Sequence, residues 1–198
     1  MEQQDWASGV CRTVAAEVRR HRGDRGLSAQ QLADRCAALG LPALNRATIA
    51  NLENGRRSSV ALAEVLILAA ALDVAPAALA FPVGHTEAVE YLPGQQAPPL
   101  DALGWFNGVG RDDDSALALL RQHQELEQRI RGHYRRIWDN AIGEGRWHGE
   151  PDGPEAQAAR EVARELTEQL RELREEIAAR GLVLPSLVGL DLDGPVGG

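Results

Sequence analysis

Apolar positions recur at helical spacing over most of the 198 residues, and runs of alternating apolar and polar residues are scarce. Val10, Val14 and Val18 share one face of a first helix, expected from about Trp6 to His21 and stopped by "RGDRG". Ser28 stands where an N-cap belongs, and Leu32, Cys36 and Leu39 then line a second helix that Gly40 and Pro42 end. Asn45 caps a third helix with Ile49 and Leu52 inward, and Gly55 closes it. Ser58 or Ser59 is expected to start a fourth helix, "SVALAEVLILAAALDV", apolar almost all round and therefore central. "APAALAF" makes a short fifth.

The pattern changes after residue 82. Residues 83–110 are rich in Pro and Gly and read as a linker or an irregular docking segment, with Tyr91, Leu92, Leu103, Trp105 and Phe106 apolar enough to pack. A long helix is then expected from about Asp112 to Ile142. Its start carries Asp112, Asp113, Asp114 and Ser115, and its stripe is Leu119, Leu126, Ile130, Tyr134 and Ile137. A second runs from about Pro154 to Arg180. There Ala159, Ala163, Leu166, Leu170, Leu173 and Ile177 alternate four and three apart, which is a heptad seam. Two helices have too little core to stand alone, so the seam predicts pairing with a second copy or packing on the N-terminal module. The tail, residues 183–198, has no assigned role. The expected fold is all-α: a five-helix domain over 1–82, the segment 83–110, and an acidic, coiled-coil-like long helical hairpin over 111–198.

Charge sharpens this division. The net charge of the chain is -8, an unpromising balance for a nucleic-acid partner. Yet residues 1–82 hold nine Arg against eight acids, and residues 83–198 hold twelve Arg against twenty-one. The acidity belongs to the C-terminal part, and a locally basic N-terminal module is compatible with it. All 21 basic residues are Arg, which fits GC-rich coding better than selected Arg chemistry. No run of 18 apolar residues is present and the N-terminus lacks the pattern of a secretory signal, so a cytoplasmic, nucleoid-associated protein is expected, with no membrane partner. Cys11 and Cys36 lack metal-ligand spacing and read as buried core thiols. His21, His85, His123, His133 and His148 are scattered, no phosphate-binding Gly loop follows a strand, and no convincing strand is present. No enzyme activity, cofactor or metal is therefore expected.

The second and third helices carry the strongest constellation. "LSAQQLA" followed by "ATIANLENGRR", and then "AAALDVAP", resembles the lambda-repressor-like (Cro/XRE) helix-turn-helix family over residues 8–82. Looser echoes, "YLPG" and "WFNG", resemble regulators of high-GC actinobacteria. The resemblance implies a transcriptional regulator whose third helix, residues 46–54, enters the major groove of double-stranded DNA. Arg46, Ala47, Thr48, Ala50 and Asn51 are then the base readers, with Asn54 beside them. Arg56 and Arg57 hold phosphates, and Ser28, Gln30 and Gln31 offer donors to another phosphate. In the family a Glu at the place of Glu53 pairs with an Arg of the first helix, for which Arg19 or Arg20 is the candidate. Two features depart from the family pattern. Ala29 stands where Gln is common, and sixteen residues separate Ala33 from Ile49 where the compact motif needs about ten. A homodimer through the C-terminal helices is expected to supply two half-site contacts. The alternatives are an adaptor whose acidic helices bind another protein, and a repressor with an effector pocket among Tyr134, Trp138 and Trp147.

Overall fold

A computed structural model describes residues 2–109, 115–141 and 153–187. Asp112, Asp113 and Asp114, the segment with Trp147 and His148, the tail beyond residue 187, and the side chains of Ile137 and Trp138 lie outside the described residues. The chain forms two compact units, residues 1–110 and 111–198.

The first unit begins with helix α1, Glu2–Asp24. Helices α2, Ala29–Ala38, and α3, Arg46–Glu53, follow. Helix α4 is Leu62–Leu72 and α5 is Pro76–Ala80. Their shared core includes Val14, Val18, Leu32, Ile49, Leu52, Leu68, Leu72 and Leu79, all buried. Cys11 and Cys36 are buried free thiols within it, and burial pushes both up from the ordinary thiol value.

Helix α4 corrects the sequence reading twice. It begins after Ala61 rather than at Ser58 or Ser59. The cause is Glu64, whose carboxylate accepts from the Ala61 amide at 2.9 Å and so satisfies a first-turn donor without a Ser cap. Nor is α4 buried all round, because Leu62 and Leu66 are exposed while Val65, Leu68, Ala69, Ala71 and Leu72 face the core. At its other end Asp73 takes a left-handed conformation, φ 53°. Arg25 donates to the Asp73 carbonyl at 2.9 Å and Arg35 to the Ala71 carbonyl at 3.1 Å. Cations at a helix C-terminus satisfy orphan carbonyls and complement the dipole.

Residues 83–109 are not a structureless linker. Strands β1, Val89–Leu92, and β2, Gln95–Ala97, pair antiparallel, with a register irregularity between Glu90 and Leu92. Pro93 and Gly94, φ 73°, turn the chain between them in the residue order of a type II turn. Helix α6, Pro99–Phe106, follows. Phe106 lies against Phe81, ring centroids 5.4 Å apart, and Trp105 against Tyr91 at 5.1 Å. The Trp6 indole N–H donates to the Glu90 carbonyl at 3.2 Å, which ties the hairpin to α1.

The second unit is an antiparallel hairpin of helices α7, Ala116–Ala141, and α8, Pro154–Ala179. Leu119, Leu126 and Ile130 pack against Leu166, Leu170, Leu173 and Ile177. The heptad seam of α8 is thus covered by α7 of the same chain. Ser115 starts α7 by accepting from the Ala118 amide at 3.2 Å.

His123, near the start of α7, is buried to 1% exposure. Arg174 lies 2.8 Å from its Nε2 and also donates to the Pro185 carbonyl at 2.9 Å, fastening the segment after α8. An Arg can only donate, so Nε2 accepts and the imidazole proton sits on Nδ1. Burial first, and Arg174 second, hold His123 below its ordinary value of 6.5, against the opposing pull of Glu127. The folded state therefore favours neutral His123, and its contribution is present above pH 6.5 and is lost as pH falls through the depressed folded value. Thermal unfolding of the full chain between pH 7.5 and 5.5 should show stability falling with pH, and His123→Gln should flatten the slope. An unchanged slope in the variant would remove His123 as its source.

Candidate nucleic-acid interface

Helix α3 has only eight residues, too few to hold itself in water. Its position is fixed by its ends, its inner face and one ion pair. Asn45 accepts from the Thr48 amide at 3.0 Å, and the Asn54 amide donates back to Ala50 at 3.0 Å. The Gly55 amide donates to Leu52 and the Arg56 amide to Asn51, with Gly55 at φ 67°. That left-handed residue closes the helix at no steric cost. Ile49 and Leu52 point into the core.

The ion pair joins α3 to α1. Arg22 Nε and Nη2 each donate to a carboxylate oxygen of Glu53 at 2.7 Å, and Nη1 donates to the Leu27 carbonyl at 2.7 Å. The side chains are 20% and 8% exposed. A planar fork on a carboxylate fixes angle as well as distance. The family-based expectation of Arg19 or Arg20 for this partner is therefore corrected. Arg20 serves Glu17 and Asp24, and Arg19 is exposed. With α1 ended at His21, Arg22 falls in the stop sequence; the helix continues to Asp24 and carries Arg22 towards α3.

The long connection between α2 and α3 becomes a folded turn rather than an extension of α2. Leu39 caps α2, Gly40 takes φ 95°, and the Leu41 amide returns to the Cys36 carbonyl at 3.0 Å. Leu44, 1% exposed, anchors the connection in the core.

The structure sorts the candidate site residues. Arg46, Ala47 and Asn54 are exposed, and Ala50 and Asn51 are half-buried; all five lie on α3 or at its C-cap. Arg46 has no side-chain partner among the described residues. Thr48 differs: its hydroxyl donates to the Ala43 carbonyl at 3.0 Å and closes the turn before α3. Arg56 is exposed immediately beyond the helix. Arg57 is not a free phosphate grip, because its guanidinium forks onto Glu64 at 2.9 and 2.8 Å. That pairing, ahead of any other influence, holds Glu64 below the ordinary carboxylate value.

At the start of α2 a capping box uses up much of the expected donor set. Ser28 Oγ accepts from the Gln31 amide at 3.2 Å, and Gln31 Oε1 accepts from the Ser28 amide at 2.8 Å. Gln30 donates to Asp34 at 2.8 Å, one helical turn on. Ser28, Gln30 and Gln31 are all exposed, but these groups bind the protein itself.

Residues 13–81 match a family model described as a helix-turn-helix domain. That segment is such a domain, consistent with the Cro/XRE-like family, and it suggests DNA binding and transcriptional regulation. No curated protein and no solved structure shows a significant match to the chain. Among the described residues no helix is long and apolar enough to cross a membrane.

Removing one half of the brace leaves a partly buried charge behind. Arg22→Ala should cost about 2–3 kcal/mol in urea unfolding. Arg22→Lys should recover little of it, since an ammonium cannot reproduce the fork. Equal stability of the Lys variant and the native chain would show that charge alone, without bidentate geometry, suffices.

Proposed function

We propose that the chain is a sequence-specific regulator of transcription that reads double-stranded DNA with α3 in the major groove and performs no catalytic step. The observation that carries this reading is the outward face of α3. Arg46, Ala47, Ala50, Asn51 and Asn54 stand on a helix whose inner face and C-terminal Glu53 are fixed to the body of the domain. A helix held in this way can present side chains to base edges with little conformational freedom left to lose. Arg46 suits guanine, Asn51 suits adenine, and Ala47 or Ala50 suits a thymine methyl group. Arg56 supplies a phosphate contact that fixes register without reading sequence.

Two copies on half-sites about one helical turn apart would supply the affinity that one small module lacks. The α8 seam is covered by α7, so pairing through the C-terminal helices would use their outer faces, where Leu117 and Val162 are exposed. Residence on the nucleoid follows from the DNA reading.

Selection from a random duplex pool at low salt should enrich one motif. Arg46→Ala should then lose discrimination at one base pair, about 1–3 kcal/mol. Arg56→Ala should weaken binding to all sequences and lower the salt slope by about 1. Arg57→Ala should weaken binding less than Arg56→Ala, its guanidinium being committed to Glu64. A pool that emerges without enrichment rules out sequence-specific reading, and a monomer at every concentration on the selected duplex rules out the paired arrangement.

A further inference from the structure

The first unit contains a cavity of about 470 Å³ between α1, the β-hairpin and the end of α6. Its volume lies within the range of small-molecule pockets, roughly 300–1,000 Å³. Trp6, Phe81, Tyr91, Trp105 and Phe106 line it, five of the eight aromatic residues in the chain. Such a concentration in a protein with 4% aromatic residues is not what a general Ala/Leu core requires.

Most of the wall is built by parts of the chain outside the helix-turn-helix match. Trp6, Gly9 and Val10 precede residue 13, and everything from Pro82 onward follows residue 81. The cavity is therefore an addition to the domain rather than one of its standard parts. Gly9 lies within α1 and lines the cavity. Gly is a poor helix former, and here a Cβ would meet nothing closer than an Arg12 nitrogen at 3.7 Å. No steric need for Gly arises on the protein side; its effect is to leave room in the cavity.

The chemistry of the wall selects the occupant. Its hydrogen-bonding groups are largely committed: Trp6 Nε1 to the Glu90 carbonyl, the Thr13 hydroxyl to the Gly9 carbonyl, and the Tyr91 hydroxyl to Gln95. Among the described residues that line it, the one side chain with a full charge at neutral pH is Glu90, whose carboxylate accepts from the Gly94 amide. A wall of rings with few unspent donors, and no cation among its described lining residues, disfavours anions and strongly polar molecules. It favours an apolar guest that meets ring faces and edges.

We propose that this cavity is a binding site for an uncharged, apolar, ring-bearing small molecule. The site is defined by the first unit alone and does not depend on whether the chain reads DNA.

The test uses the neutral dye N-phenyl-1-naphthylamine titrated into the full chain. Emission should rise and shift to the blue, saturating at one dye per chain, with energy transfer from tryptophan. Gly9→Leu, which fills the cavity from a helix position with room for a side chain, should weaken binding at least tenfold while keeping the native circular dichroism. Trp105→Ala, at the exposed mouth, provides a second measure and should also weaken it. Leu62→Ala, on the exposed face of α4, should leave it unchanged. Non-saturating binding, native affinity in both cavity variants, or loss in Leu62→Ala would overturn the proposal. So would dye displacement that tracks formation of a dimer, which would give the cavity to a second copy.

Discussion

The Arg22–Glu53 fork is the constraint on which the first unit depends. An eight-residue helix cannot choose its own direction, and two inward side chains, Ile49 and Leu52, leave it free to pivot about their contact. The fork removes that freedom. One guanidinium spans the end of α1, the carbonyl of Leu27 before α2, and the last residue of α3. Three consecutive segments thus share one planar group, and the exposed face of α3 inherits its geometry from a contact at the helix's last residue.

Arginine serves the same end elsewhere in this unit. Arg25, just past α1, and Arg35 of α2 hold carbonyls at the C-terminal end of α4, while Arg57 joins the segment after α3 to the first turn of α4. With few aromatic side chains in the helical core, polar forks at helix ends supply orientation that packing of Ala and Leu leaves loose. The cost is that basic residues near the interface are occupied. Of the arginines next to α3, the exposed ones are Arg46 and Arg56, so the exposed positive charge beside that helix is less than a count of arginines suggests.

Local chemistry was legible in the sequence, and long-range chemistry was not. Ser28, Asn45 and Gly55 act within four residues of themselves, and each sits where its cap was expected. The apolar stripes of α7 and α8 were equally plain, because period alone reveals them. What covers a stripe is a different question. The two helices were expected as a hairpin in need of a further partner, and in the structure α7 itself covers the seam of α8. Partner choice across 31 residues, as between Arg22 and Glu53, turned on where α1 ends. The strands were missed because four and three residues are too short for alternation to emerge from a stretch dense in Pro and Gly. His123, apparently an isolated histidine, gains its setting from Arg174 and Pro185, far along the chain.

The contact between Phe81 and Phe106 has a practical meaning for anyone who would move this domain into another protein. The family match ends at Phe81, and the compact unit continues to residue 110. A fragment cut at the match would carry α3 and the Arg22–Glu53 fork but lose α1 up to Arg12. It would also bare the side of α1 that the hairpin now covers, and leave Phe81 without its ring partner Phe106. The transplantable piece is therefore longer than the recognisable one, and its proper edge falls after the last turn of α6.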